Sequence, residues 1–360
     1  MLYKLLYDLH DIYSPFNIFR YITFRTALSI ITAAVLAYAI CPILIRRLKR
    51  LSVTQQIRED GPKRHEAKAG TPTMGGLAII GSILITMIAW GNLNNIYVLI
   101  VIFSLLGFGA VGFIDDYLKV IRRNPKGLRA CYKFGLQIAL ALLIGTFLYL
   151  NPFDPSPATL SVPFFKKWLL HLGILYLPFA VFVMVGASNA VNLTDGIDGL
   201  AIGLVAIASL ANMGLVYISG HRGLADYLQV MHLPAVGELT VFCGALFGAS
   251  LGFLWHNSYP ADIFMGDVGS LGLGGALGTL AVITKQEIVL AIVGGIFVVE
   301  TISVILQVAS FKLTGRRLFK MAPIHHHFEL KGWAEPKVIV RFWIVGIMLA
   351  LLSLATLKVR

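Results

Sequence analysis

Residues 95–119 read NIYVLIVIFSLLGFGAVGFIDDYLK. From 95 to 114 there is no charged side chain, and about 20 helical residues cross the roughly 30 Å of a bilayer's hydrocarbon core. The run then ends on two adjacent carboxylates, Asp115 and Asp116. An acid close to hydrocarbon costs roughly 2.5 to 3.5 kcal/mol on insertion scales, so this placement marks a candidate functional site on a membrane-embedded chain.

The rest of the sequence repeats the pattern. Of the 360 residues, 57% are hydrophobic and 13% charged, outside the range of soluble globular domains. Reading for stretches near 20 apolar residues gives ten spans: roughly 23–45, 73–90, 95–114, 131–150, 168–187, 199–218, 238–255, 269–284, 288–309 and 337–357. The expected fold is an all-α integral membrane protein of about ten transmembrane helices, one polytopic domain over 1–360. Leu2, Leu5, Leu6 and Leu9 recur at helical spacing beside Lys4 and Asp8, the pattern of a helix lying in the membrane interface. Pro152, Pro155, Pro157 and Pro163 exclude helix from the 151–167 loop and favour turns or a short hairpin.

Basic residues orient the spans. Segments 46–72, 117–130 and 310–336 hold most of the loop Lys and Arg, and with ten spans they share one face, which the positive-inside rule makes cytoplasmic. Both termini are then periplasmic. The net charge of +12 is explained by this topology and by anionic headgroups; with no soluble basic module, nucleic acid is not an expected partner. Cys41, Cys131 and Cys243 lack the spacing of a zinc site or disulfide framework.

Two further cytoplasmic loops carry no Lys or Arg and hold Asp195, Asp198, Asp262 and Asp267 instead. The paired Asp115 and Asp116 repel each other unless a cation or a shared proton relieves them, which points to Mg²⁺ or proton transfer. Asn192, Asp195 and Asp198 lie three apart and share one side if that stretch is helical; a helix cap explains one of them, not three. Asp267 reads equally well as an N-cap or as a ligand. The glycines of GDVGSLGLGG lack a phosphate loop's GKS or GKT ending and suit close helix packing. His325, His326 and His327 are consecutive, diverge in direction, and suit phosphate contact or proton shuttling better than a zinc site. Lys133, just inside the fourth span, either snorkels to headgroups or holds a lipid phosphate. Glu300 is an isolated acid within the ninth span, and with His171 it is the feature that favours an ion-coupled transporter as the alternative from another class.

Five strings occur in order: GPKRHEAKAGTPTMGG (61–76), FIDDYLK (113–119), NLTDGIDGL (192–200), FMGDVGSLGLGG (264–275) and PIHHHFELKGW (323–333). Together they resemble the polyprenyl-phosphate N-acetylhexosamine-1-phosphate transferases, and the TPTMGG and PIHHHFE strings are similar to the phospho-N-acetylmuramoyl-pentapeptide branch rather than the GlcNAc branch. The resemblance implies transfer of phospho-MurNAc-pentapeptide from UDP-MurNAc-pentapeptide to undecaprenyl phosphate. The products would be lipid I for peptidoglycan synthesis and UMP, made with Mg²⁺ at the cytoplasmic face of a bacterial inner membrane. It implies Mg²⁺ on Asp267, and catalysis or lipid-phosphate contact by Asp115 and Asp116. Asn192, Asp195, Asp198, Asn257 and Phe264 would line the nucleotide-sugar site, with Lys68 and the three histidines near the diphosphate. It also implies a homodimer. A GlcNAc-1-phosphate transferase is the nearest alternative.

Overall fold

The structure is a computed structural model of the chain, and it describes residues 2–51, 70–120, 122, 124, 127–150, 158–163 and 169–358. Helix α1 (Leu2–Asp8) and two 3₁₀ turns precede α2 (Ile22–Arg50), α3 (Gly76–Trp90), α4 (Ile96–Val120) and α5 (Ala130–Leu150). Strands β1 (Thr159–Ser161) and β2 (Leu169–His171) pair antiparallel, the short hairpin expected of the proline-rich loop. Then come α6 (Tyr176–Thr194), α7 (Leu200–Gly220), α8 (Arg222–Leu228), α9 (Leu239–Asn257), α10 (Gly266–Thr284), α11 (Glu287–Val293), α12 (Gly295–Thr314), α13 (Ile324–Leu330) and α14 (Glu335–Ala355).

Among the described residues, nine helices are long and apolar enough to cross a membrane. The tenth expected span, α3, is apolar but only 15 residues long. Its apolar run begins at 73, but Met74 has a φ of 74° and the amides of Gly75 and Gly76 donate to the carbonyls of Phe264 (2.9 Å) and Met265 (2.8 Å). The first residues of the run are therefore tied to another loop and the helix starts late. The expected single span at 288–309 is likewise two helices, α11 and α12, divided at Gly294.

Helix α10 is the axis of the bundle: every residue from Val268 to Thr284 is buried. It packs on α4 and α6, while α9 packs on α2 and α7. The glycines make this possible. A Cβ on Gly112 of α4 would lie 2.1 Å from the Asp267 carbonyl oxygen, and one on Gly274 of α10 would lie 2.5 Å from the Ala187 carbonyl oxygen. Backbones this close place the ends of α4, α6 and α10 side by side, and those ends carry the acids.

At the far end of the bundle, Arg25 of α2 makes two hydrogen bonds to Glu238, at 2.9 and 2.8 Å. His171 lies on β2, where its Nδ1 is 2.9 Å from the Thr159 hydroxyl, so it is a hairpin residue rather than an intramembrane one. The N-terminal amphipathic stretch is helical over Leu2–Asp8, with Leu2, Leu5 and Leu9 exposed as an interfacial helix requires.

Candidate active site

Asp115 lies near the C-terminal end of α4 and Asp267 in the first turn of α10. The Lys119 ammonium sits 2.9 Å from Asp115 Oδ2 and 2.8 Å from Asp267 Oδ2. Lys133, one turn into α5, sits 3.0 and 2.9 Å from the same two oxygens. Two carboxylates thus converge on two cations. Asp115 Oδ1 also accepts from the Leu128 amide at 2.7 Å, and Asp267 Oδ1 accepts from the Asn192 side chain at 2.7 Å. Asn192 donates as well to Ser270, at 2.8 Å.

Helix N-termini favour anions, because their first amides are unpaired and the dipole is positive there. The start of α10 uses this internally. Asp116, buried, accepts from the Val268 amide at 3.1 Å, and the Gly266 amide hydrogen-bonds the Asp195 carboxylate. Gly266 has a φ of 75°, and a Cβ there would lie 2.7 Å from Asp116 Oδ2, so this tight approach needs glycine.

Asn192, Asp195 and Asp198 do not share one helix face. Asn192 is in α6, Asp195 follows its end, and Asp198 belongs to the turn before α7. The turn still delivers Asp195 to the cluster. Burial, then the negative charges of Asp267, Asp116 and Asp198, pushes its carboxyl up to about 8. Asp198 is oriented differently: its Oδ2 accepts from the Ala261 amide at 3.0 Å, and its own amide donates to Glu335 Oε1 at 3.0 Å. Asn257 is a clamp, accepting from the Gly199 amide (3.1 Å) and donating to the Ile263 carbonyl (2.8 Å). Phe264 is half-buried, and its amide donates to the Pro72 carbonyl at 2.8 Å. Lys68 lies outside the described residues.

The three histidines are on a helix, α13, not in a loop. They separate as consecutive helical residues must. His325 is fully buried, with its Nδ1 3.1 Å from Glu300 Oε2 of α12. His326 Nδ1 meets Glu329 Oε2 at 2.7 Å. His327 Nδ1 accepts from the Lys320 amide at 3.1 Å, and burial with the nearby Lys331 and Lys320 charges lowers its pKa from the usual value.

Sequence reasoning left Lys119 and Glu335 without a role. Lys119 is four residues after Asp115, the spacing of a helical ion pair, and that signal was present in the string IDDYLK. Nothing local marks Glu335, because its partner is the turn at 198.

The donor chemistry suits a hard divalent cation with phosphate. Among the described residues, no three His, Cys, Asp or Glu side chains form a ready metal cluster. Mg²⁺, however, is usually held through one or two carboxylates, the remainder being water and substrate phosphates. Asp267, facing Asp115 and framed by Asn192, could serve as such a carboxylate, and the two lysines could supply charge for phosphate oxygens.

Comparison with known proteins agrees with the resemblance along the whole chain. The model of Glycosyl transferase family 4 matches residues 98–285. That of phospho-N-acetylmuramoyl-pentapeptide-transferase signature 1 matches 68–80. The chain is 65% identical, over the full length of both, to the phospho-N-acetylmuramoyl-pentapeptide-transferase of Thermodesulfovibrio yellowstonii. It is 55% and 56% identical, again over both full lengths, to those of Citrifermentans bemidjiense and Pelobacter propionicus. With relatives this similar along its whole length, the chain belongs to the phospho-N-acetylmuramoyl-pentapeptide-transferase family.

Proposed function

We propose that this multi-pass membrane protein transfers phospho-MurNAc-pentapeptide from UDP-MurNAc-pentapeptide to undecaprenyl phosphate, giving lipid I and UMP for peptidoglycan synthesis. In the net reaction the bond between the sugar's phosphate and the UMP portion breaks, and a phosphorus–oxygen bond forms to the lipid phosphate. The observation that carries the reading is the convergence of Asp115 and Asp267 on Lys119 and Lys133 at one end of the bundle. Phosphoryl transfer asks a protein chiefly for positioning and charge neutralisation, and this cluster has both.

Asp267 would hold Mg²⁺, which when bound neutralises charge on the diphosphate. Lys119 and Lys133 then serve phosphate oxygens, Asp115 holds the lysines in place, and Asp116 fixes the start of α10. In this reading the Asn192, Asp195 and Asp198 side chains, with Asn257 and Phe264, form the nucleotide-sugar side, and His326, His327 and Lys68 serve the diphosphate. A phosphomonoester with a second pKa near 6 is largely ionised at neutral pH, so the lipid phosphate needs no strong base.

The site end of the bundle is cytoplasmic in this reading and both termini are periplasmic, in the inner membrane of a bacterium; the basic loops support that orientation. The chain acts as one membrane domain and assembles as a homodimer.

The test is release of UMP by purified protein given undecaprenyl phosphate, Mg²⁺ and either UDP-MurNAc-pentapeptide or UDP-GlcNAc. UMP is expected from the muramoyl donor alone. Release from UDP-GlcNAc alone moves the protein to the GlcNAc branch, and release from neither sinks the reading.

A further inference from the structure

Glu300 is the one acid in α12, on a helix whose Val299, Ile302 and Ile305 are exposed as lipid-facing residues are. It points the other way and is fully buried. Its Oε2 lies 3.1 Å from Nδ1 of the equally buried His325. Among the described residues, neither carboxylate oxygen nor either ring nitrogen has a hydrogen-bond partner. A buried polar group is costly without a partner, so each residue of this pair requires the other.

The far edge of the same imidazole rests on the turn between α6 and α7. A Cβ on Gly196 would lie 2.3 Å from His325 Nε2 and 2.8 Å from Cε1. The ring therefore occupies the space a side chain at 196 would need, with Glu300 on its other side. Gly196 sits between Asp195, which reaches the carboxylate cluster, and Asp198, which holds Ala261. A line of contacts thus runs from the buried Glu300 side chain through one imidazole to the turn that carries both aspartates.

We infer that Glu300 is a positioning residue: by bracing His325 against Gly196 it sets the seat of the Asp195–Asp198 turn, and so governs the nucleotide-sugar side of the site without touching substrate. This divides the histidine triplet, leaving His326 and His327 for the diphosphate and His325 as a strut. The inference rests on the function proposed above only in naming the substrate affected.

Glu300→Gln keeps the shape and replaces the carboxyl group with an amide. Its expected effect is about a tenfold rise in KM for UDP-MurNAc-pentapeptide with KM for undecaprenyl phosphate unchanged. Gly196→Ala, pushing on the other edge of the ring, should give the same split. The double variant should cost little more than the worse single one, because both act through one contact. Hydrogen exchange of the 194–200 amides should quicken in Glu300→Gln, and this readout stands even if the wild type turns over neither donor. Unchanged exchange in both variants overturns the inference. So does a wild-type KM for the nucleotide sugar in Glu300→Gln, an equal rise for both substrates, or full additivity. If Glu300→Gln does not fold, Gly196→Ala decides by the same measures.

Discussion

Asp115 and Asp267 each set one carboxylate oxygen against the same two ammonium groups, at 2.8–3.0 Å. Removing any one of the four charges leaves the others unbalanced in a partly buried site. Lys133→Met and Asp267→Asn are each expected to lower kcat by about 10²–10³, the usual effect of deleting one preorganised electrostatic group. Steady-state UMP release measures it; a loss under about threefold in both would remove the cluster from the chemistry.

Asp195 carries the pH dependence. Its carboxyl is pushed up to about 8, so near pH 6.5 it is mostly protonated, and the ionised form gains as pH rises. A cation held on Asp267, whose charge already acts on Asp195, favours the ionised form and displaces the proton. Mn²⁺ affinity, followed by electron paramagnetic resonance, should therefore climb on the order of tenfold between about pH 6.5 and 8.5 and then level. Asp195→Asn should flatten the curve, and a flat curve in the wild type contradicts the assignment.

Asp116 accepts the Val268 amide at the start of α10, and in the proposed reading its work is to hold the backbone beneath Asp267. Asp116→Asn is expected to reduce kcat with no recovery at high pH, since no proton abstraction is lost. Recovery of the rate by about pH 9.5 would make Asp116 a base after all.

The α4–α10 contact has no room for a methyl group at Gly112, where a Cβ would meet the Asp267 carbonyl at 2.1 Å. Gly112→Ala should destabilise the protein by about 1–3 kcal/mol and, by parting Asp115 from Asp267, lower kcat at least tenfold. Gly81→Ala is the control: a Cβ there meets nothing within 4 Å, and both the thermal midpoint and kcat should hold.

Much of this was legible in the string itself. The spans follow from the lengths of apolar runs, because a bilayer admits only backbone that satisfies its own hydrogen bonds. That logic places Asp115, Asp116 and Asp267 correctly near helix ends, and a short hairpin in the proline-rich loop, where Thr159–Ser161 pairs with Leu169–His171. It misjudges α3 and the 288–309 run, because hydropathy does not register Met74's positive φ or the break at Gly294. It also treats the three histidines alike, although only one of them is fully buried.

What the sequence by itself determined is a membrane-spanning helical chain with its acids at the ends of apolar runs, since solvation energy depends on local composition. What only the tertiary structure decided is which groups meet. Asp115 shares cations with Asp267, Asn257 clamps two loops, and Glu300 braces His325 over Gly196. Those pairings depend on how closely α4, α6, α10 and α12 approach one another, and helix separation is set by side chains on both partners at once, which no single stretch of sequence contains.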